Sequence, residues 1–221
     1  IIAELEGINA TGTITNGGEI TSYSGSACVL GAATVKNSGS ITAQSYGLDV
    51  QAGATVNLSN TGTIASEDRA VYARDGSTVT VNNSGAINAA GITFATSAGA
   101  RIELTNTGTI TSTTTLSFFG DTGIDKVTNK GIMRGDVRLS GNNDLYEGNG
   151  GRVIGKVEGQ SGNDTLRGGT LADKLDGGRH PVGIHGAAGH LAGRGLRLVD
   201  HRPPAGLQAI LVEGDVLALQ N

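Results

Sequence analysis

Asn106-Thr107-Gly108-Thr109-Ile110 is one copy of the five-residue motif that decides the fold of this chain. Five further copies share its Asn and its Gly, and all but the last also share its Ile, which Met133 replaces. The spacing between successive copies is 21 residues once and 23 residues four times. Self-similarity at a fixed period of this length is the sequence signature of a solenoid. The six copies begin at Asn16, Asn37, Asn60, Asn83, Asn106 and Asn129.

Around the motif, aliphatic residues alternate with polar ones, which is the pattern of a half-buried β-strand. Three such columns recur with the period of the motif. They are Val35, Leu58, Val81, Leu104 and Val127 before the Asn, the Ile or Met at the fifth motif position, and Leu48, Val71 and Phe94 later in each repeat. A glycine column follows at Gly53, Gly76 and Gly99. No helical stripe spans ten residues. The sequence predicts an all-β fold, a right-handed parallel β-helix (solenoid) with about 23 residues and three short strands per coil.

The motif itself predicts the corner between two strands. Stacked Asn side chains can hydrogen-bond to the copies above and below them, as amide ladders do in cross-β structures. The Gly at the third position predicts a backbone with positive φ, where a Cβ atom would clash. We therefore predict a structural ladder along the solenoid, formed by Asn37, Asn60, Asn83, Asn106 and Asn129.

Composition favours a stack of coils over a globular core. Of the 221 residues 37 are Gly, none is Trp and 3% are aromatic, so a globular core would contain few large side chains. Stacked coils instead bury small aliphatic residues against their neighbours. The net charge of −4 provides no basic face, so we expect no binding of nucleic acid. No apolar run approaches the roughly 20 residues of a membrane span, so we expect no transmembrane segment.

Changes in the repeat divide the chain into three predicted regions. Residues 1–134 contain the Asn-x-Gly-x-Ile coils, and the chain starts at Ile1, which we interpret as the start of a mature or excised fragment. Residues 135–178 contain shorter, Gly/Asn/Asp-rich coils. Residues 179–221 hold all four His and all three Pro, and we predict a C-terminal cap or tail there. The single cysteine, Cys28, excludes an intramolecular disulfide, and we expect it to be a small buried residue.

A nine-residue repeat near the end of the second region carries the strongest chemical signal. Gly159 to Leu166 (GQSGNDTL) is followed by Gly168 to Leu175 (GGTLADKL), and the pair resembles the RTX nonapeptide of calcium-bound β-rolls. Leu171 and Val182 depart from the family pattern. The alternative is a β-helix corner that uses the same turn-forming residues. The resemblance implies calcium as a cofactor, with side-chain oxygens of Asp164 and Asp173 and backbone oxygens near Gly162, Asn163 and Gly169 as ligands.

No arrangement of acids in the main repeat predicts catalysis. Polysaccharide lyases and hydrolases with a β-helix need carboxylates clustered on one face. The acids here occupy different positions of the 23-residue frame, and we predict no catalytic residues; the segment Glu67-Asp68-Arg69 is interpreted as a solvated loop. A β-helical carbohydrate-active enzyme with its site on irregular loops is kept as an alternative. The acids are Glu19, Asp49, Glu67, Asp68, Asp75 and Glu103.

The Asn-x-Gly-x-Ile coils closely resemble the passenger domains of bacterial autotransporters and related haemagglutinin-like adhesins. The resemblance covers residues 9–175. It implies a β-helical stalk or adhesin that is secreted or held on the bacterial cell surface, and that is exported unfolded. The implied partners are surface molecules of host or neighbouring cells, either protein or glycan, and further copies of the same chain. A calcium-dependent RTX-like β-roll module is the second alternative.

Overall fold

The computed structural model describes residues 2–3, 7–148, 150–169 and 174–178, and beyond them the strand segments 182–185, 190–192, 196–197, 208–209 and 219–220. Every regular element of this part of the chain is a β-strand, and none is a helix. Twenty-four strands form one continuous sheet, in which the strands of successive coils pair in parallel. The predicted all-β fold, a parallel β-helix with about 23 residues per coil, is confirmed.

The sheet winds around three faces. The first six strands of the first face each end at a motif Asn. This face contains β2 (Ile8–Asn16), β4 (Cys28–Asn37), β7 (Thr55–Asn60), β10 (Thr78–Asn83), β13 (Arg101–Asn106), β15 (Lys126–Asn129), β17 (Leu145–Glu147), β20 (Thr165–Arg167), β22 (Val182–His185) and β24 (Leu196–Arg197). The second face, which follows the motif corner, contains β1 (Ile2–Ala3), β3 (Glu19–Ser22), β5 (Ser40–Ala43), β8 (Thr63–Ser66), β11 (Ala86–Ala89), β14 (Thr109–Phe119), β16 (Ile132–Arg138) and β18 (Arg152–Ile154).

The third face closes each coil. It contains β6 (Tyr46–Val50), β9 (Arg69–Ala73), β12 (Phe94–Thr96), β19 (Val157–Glu158), β21 (Lys174–Asp176) and β23 (His190–Ala192). The long strands β2, β4, β14 and β16 bend around corners and contribute one end to this face. Apart from the solenoid, β25 (Gln208–Ala209) and β26 (Leu219–Gln220) pair in antiparallel fashion.

The predicted aliphatic columns form the core. On the third face Leu48 pairs with Val71 and Val71 with Phe94, and the column continues to Phe118, whose ring stacks with that of Phe94 at 6.3 Å between centroids. All four side chains are fully buried. Burying one such side chain contributes about 1.5–3 kcal/mol, so stability accumulates coil by coil.

The coil shortens where the sequence motif changes. The Asn-to-Asn steps span 23 residues from Asn37 to Asn129, whereas the amide of Asp144 reaches Asp164 in the next coil after 20 residues. Farther on, Thr165 pairs with Gly183. Parallel pairing continues to β24, and the remainder of the predicted cap or tail over 179–221 lies mostly outside the described residues.

The motif glycines do not adopt positive φ, so that prediction is wrong. A Cβ atom on Gly62 or Gly85 would overlap the carbonyl oxygen of the motif glycine one coil earlier. That carbonyl accepts a hydrogen bond from the residue after the glycine, as Gly62 does from Ala86 at 2.9 Å. Glycine is therefore required because two backbones approach closely. Positive φ angles of 65–69° occur in the other glycine column, at Gly53, Gly76 and Gly99.

Candidate functional site

The asparagine ladder runs along the corner between the first and second faces. From Asn16 to Asn106, each side-chain Nδ2 donates to the Oδ1 of the Asn one coil later, at 2.7–2.9 Å. The ladder starts one coil earlier than predicted, at Asn16. The amides also bond to main-chain carbonyls; Asn60 Nδ2, for example, donates to Gly62 O at 3.2 Å. The interior rungs are buried and bonded to the protein itself, so they present no group to a ligand.

The ladder ends where the coil becomes shorter. Asn129 is fully buried, and its Nδ2 has no hydrogen-bond partner among the described residues. Gly151 lies directly beyond it, since a Cβ atom there would stand 2.7 Å from that nitrogen. The shorter coil therefore closes over the last amide without providing another rung.

The residues predicted to bind calcium are divided by a strand. Gly162, Asn163 and Asp164 form the corner before β20, whereas Gly169 follows the far end of β20. Asp173 lies outside the described residues. The Asp164 side chain is buried, and its Oδ1 accepts the amide of Asp144 at 3.0 Å.

These contacts leave the predicted calcium site incomplete. Calcium takes six to eight oxygen ligands, but the described part of the chain has no group of three or more His, Cys, Asp or Glu side chains that could hold a metal ion. The Asp164 carboxylate packs against the backbone, because a Cβ atom on Gly159 would stand 2.5 Å from its Oδ2. The described residues do not fit a calcium ion by themselves, and the calcium site stays a prediction.

A column of buried aspartates was missed by sequence reasoning. Asp125, Asp144 and Asp164 precede β15, β17 and β20 and occupy the inward position that Ile102 holds in β13. Asp125 Oδ1 accepts the amide of Ile102 at 2.7 Å, and Asp144 Oδ1 accepts the amide of Asp125 at 2.7 Å. The available signal was the recurrence of Asp, two residues before a core residue such as Val127, at spacings of 19 and 20.

Burial changes the acidity of two of these aspartates. It raises the pKa of Asp125 to about 7, against the opposing effects of the Ile102 amide and the Arg101 charge. Burial also raises the pKa of Asp144 to about 8, and the neighbouring carboxyls of Asp125 and Asp164 add to this rise. The Oδ2 atoms of Asp125 and Asp144 are buried, and neither has a hydrogen-bond partner in the described structure. Both side chains therefore titrate near neutral pH.

The third face carries a cluster of tyrosine, arginine and aspartate side chains, called here the tyrosine–arginine cluster: Tyr46, Asp49, Arg69, Tyr72 and Arg74. The two tyrosine rings lie 5.1 Å apart between centroids, and the Arg69 guanidinium carbon stands 5.5 Å from the Tyr46 centroid and 5.0 Å from that of Tyr72. Arg74 stands 5.2 Å from the Tyr72 centroid. Cation–π contacts of this kind fix the planar groups against one another.

Hydrogen bonds complete the cluster. Arg74 binds the buried Asp49 carboxylate through two nitrogens, at 2.7 and 2.9 Å, and this bond raises the pKa of Arg74. Arg69 binds Asp68 at 2.8 Å, so the segment interpreted from sequence as a solvated loop is part of an ordered network. The 23-residue period could have revealed the cluster, because it places Tyr46 beside Arg69 and Asp49 beside Tyr72.

Arg74→Ala is expected to lower the free energy of unfolding by about 1–2 kcal/mol, because it leaves the buried Asp49 carboxylate without its cation. The value lies below that of a fully buried pair, since the Arg74 side chain is 40% exposed. Chemical denaturation of the variant measures the loss. Adding Asp49→Asn to Arg74→Ala should restore part of it, and no recovery in that double variant would contradict the assignment.

A shallow cleft of about 380 Å³ lies near the end of the described solenoid, lined by Glu158, Gln160, Ser161, Asp176 and Gly178. Glu158 pairs in register with Asp176 and forms ion pairs with Lys156 at 2.6 Å and Arg138 at 3.1 Å. Burial acts to raise the pKa of Glu158, but the two cations outweigh it and the pKa is lowered. The shift of the Glu158 pKa is therefore opposite to the raised pKa that a general acid of glycoside hydrolysis has.

Cys28 is fully buried, and burial raises the pKa of its thiol to about 12. We therefore expect a thiol-specific disulfide reagent at pH 8 to leave the native chain unmodified over a period in which the chain unfolded in guanidinium reacts completely. Absorbance of the released thiolate measures both rates. Comparable rates in the two states would mean that this coil opens readily.

Comparison of the chain with protein-family models, curated protein sequences and solved structures finds no match to any of the three. The described residues include no helix that is long and apolar enough to cross a membrane.

Proposed function

We propose that this chain is a structural and adhesive β-helical protein, secreted or held on a bacterial cell surface, that presents the outer faces of its solenoid to other molecules. The observation that carries the proposal is the tyrosine–arginine cluster. Tyr and Arg are, together with Trp, the residues enriched at the energetic centres of protein interfaces. Here both types are fixed in place by mutual contacts before any partner arrives, which reduces the entropy lost on binding.

The first face supports the same proposal by its regularity. Thr34, Asn57 and Thr80 stand in register in successive coils and face outward. Such short side chains lose little conformational entropy when a partner covers them. Their hydroxyl and amide groups can donate and accept hydrogen bonds, which suits both glycan hydroxyls and the polar surface of another copy. The proposed partners are accordingly proteins or glycans of host or neighbouring cells, and further copies of this chain.

Fluorescent beads coated with the chain test the proposal in three assays: binding to a glycan array, binding to intact epithelial and bacterial cells, and clumping of the beads themselves. We expect binding in at least one assay. A Tyr46→Ser/Arg69→Ser variant should reduce that binding at least tenfold, since loss of interface centres commonly costs about 2 kcal/mol or more. The matched control, Thr42→Ser/Thr63→Ser at exposed positions of the second face, should retain most of the binding.

The outcomes separate the candidate functions. Circular dichroism must first show that both variants keep the β spectrum of the parent chain. Absence of binding in all three assays would contradict the adhesive proposal. Release of new reducing ends or unsaturated sugars from a polysaccharide panel would instead favour the carbohydrate-active enzyme.

A further inference from the structure

Asp125 occupies the junction between the 23-residue coils and the shorter coils. It lies immediately before β15, is 1% exposed, and bonds in both directions along the solenoid axis. Its Oδ1 accepts the amide of Ile102 in the preceding coil at 2.7 Å, and its own amide donates to Asp144 Oδ1 in the following coil at 2.7 Å. One residue therefore connects three successive coils at the point where the repeat changes length.

The second oxygen of this carboxyl lies in an environment that disfavours charge. Asp125 Oδ2 is buried and has no hydrogen-bond partner among the described residues. The backbone at Gly120 packs against it, since a Cβ atom there would lie 2.5 Å away. The charged groups acting on Asp125 are Arg101 from β13, whose own carboxylate partner is Glu103, and Asp144 from the corner before β17.

Ionisation of Asp125 would introduce a second problem. Asp144 occupies the same inward position one coil away, and adjacent strands are about 4.8 Å apart. Two carboxylates at such a distance repel each other strongly where water is excluded, so an ionised Asp125 helps to keep the proton on Asp144, whose pKa is raised to about 8. A proton on Asp125 removes the unbonded charge, and it leaves Oδ1 free to accept the Ile102 amide.

We propose that Asp125 is a proton-controlled joint: the uncharged carboxyl holds the long and short coils together, and loss of its proton loosens the contact between them. The solenoid is then most rigid in mildly acidic surroundings and becomes locally easier to open at and above neutral pH. This joint lies inside the core, so its response to pH does not depend on what the outer faces bind.

The pKa of Asp125 defines the pH range over which the joint loses its stabilising effect. The pKa of Asp125 in the folded chain is raised to about 7 by burial, from an ordinary value of 3.8. Because the folded pKa is the higher one, the stabilising effect is complete below about pH 4 and is lost as the pH rises through about 7. Over this range the group increases the unfolding equilibrium constant by about tenfold per pH unit.

Asp125→Asn in the full chain tests the proposal, because the amide side chain keeps an oxygen for Ile102 and never ionises. The logarithm of the unfolding equilibrium constant, measured by denaturation between pH 4 and pH 7, should rise less steeply in the variant, by about one unit per pH unit. At pH 8 the variant should be more stable than the parent. Asp75→Asn, which removes an exposed acid, should leave the slope unchanged.

Hydrogen exchange provides a local measurement at the joint. After correction for intrinsic exchange, protection of the Ile102 amide should fall between pH 5 and pH 8 in the parent chain and remain constant in Asp125→Asn. Samples with a chelator and with calcium chloride should give the same result, because Asp125 belongs to no predicted calcium ligand set.

An unchanged slope in Asp125→Asn would overturn the proposal, as would Ile102 protection that falls equally in both proteins. If Asp125→Asn does not fold, Asp125→Val replaces it, because Val79 occupies this column two coils earlier. Asp125→Val loses the hydrogen bond to the Ile102 amide, so it should be less stable than the parent chain at pH 4. The slope of the logarithm of its unfolding equilibrium constant against pH must still be lower than that of the parent by about one unit per pH unit.

Discussion

Gly85→Ala is expected to prevent native folding, or to lower the free energy of unfolding by about 4 kcal/mol or more, a loss found only for severe core or backbone disruption. The added methyl group would overlap the Gly62 carbonyl oxygen, which belongs to the backbone and cannot rotate away. Relief requires the two coils to separate. Separation would lengthen the Ala86 N to Gly62 O hydrogen bond of 2.9 Å and weaken the nearby Asn60–Asn83 contact.

Two other glycine substitutions serve as controls in the same denaturation series. Gly18→Ala, at a motif glycine with no neighbour within 4 Å and no positive φ, should change stability by no more than about 0.5 kcal/mol. Gly76→Ala, in open space at a φ of 65°, should cost about 1–2 kcal/mol from backbone strain. If Gly85→Ala costs no more than Gly76→Ala, the close approach of the two backbones is not the reason for glycine in the motif.

Asn83→Ala should lower the free energy of unfolding by about 3–5 kcal/mol, the second-largest effect. The side chain accepts from Asn60 at 2.8 Å and donates to Asn106 at 2.8 Å, and it is almost completely buried. Each lost hydrogen bond costs about 1 kcal/mol, and each buried group left without its partner adds about 1–3 kcal/mol. Alanine would also leave a polar cavity between two coils. Denaturant titration followed by far-ultraviolet circular dichroism measures the loss.

The neighbouring residue provides a matched control. Asn82 is exposed on the same strand, so Asn82→Ala should stay within about 0.5 kcal/mol of the parent chain. Asn16→Ala, at the first rung, should cost less than Asn83→Ala, because Asn16 has a ladder neighbour on one side only. Equal losses at Asn82 and Asn83 would show that the ladder contributes no specific stability.

The period of the motif was sufficient to predict most of the fold. In a parallel solenoid each residue stacks on its equivalent one coil later, so Leu48, Val71 and Phe94 had to share one column once their spacing was known. The same reasoning placed Asn60 beside Asn83, and the side-chain hydrogen bond between them follows from that placement. These relations depend on spacing alone, which the sequence contains explicitly.

The buried aspartates and the tyrosine–arginine cluster were harder to predict, because they depend on how deeply a side chain is buried and on where it points. The sequence pattern does not identify Asp125 as a core position, since core columns are identified by apolar residues and an acid interrupts that pattern. Tyr72 and Arg74 belong to one cluster only because the Arg74 side chain folds back over the ring and reaches Asp49. Spacing places such residues near one another but does not determine which groups touch.

The sequence by itself determined the repeat, the strands, the three core columns and the asparagine ladder, because in-register stacking converts a period of 23 residues directly into contacts. Only the tertiary structure decided why the motif needs glycine and where the buried acids lie. The glycine at position 85 is needed because of its distance from the carbonyl at position 62, and the pKa of Asp125 depends on exclusion of water. Both depend on how closely neighbouring coils pack against each other, which the spacing of residues along the chain does not record.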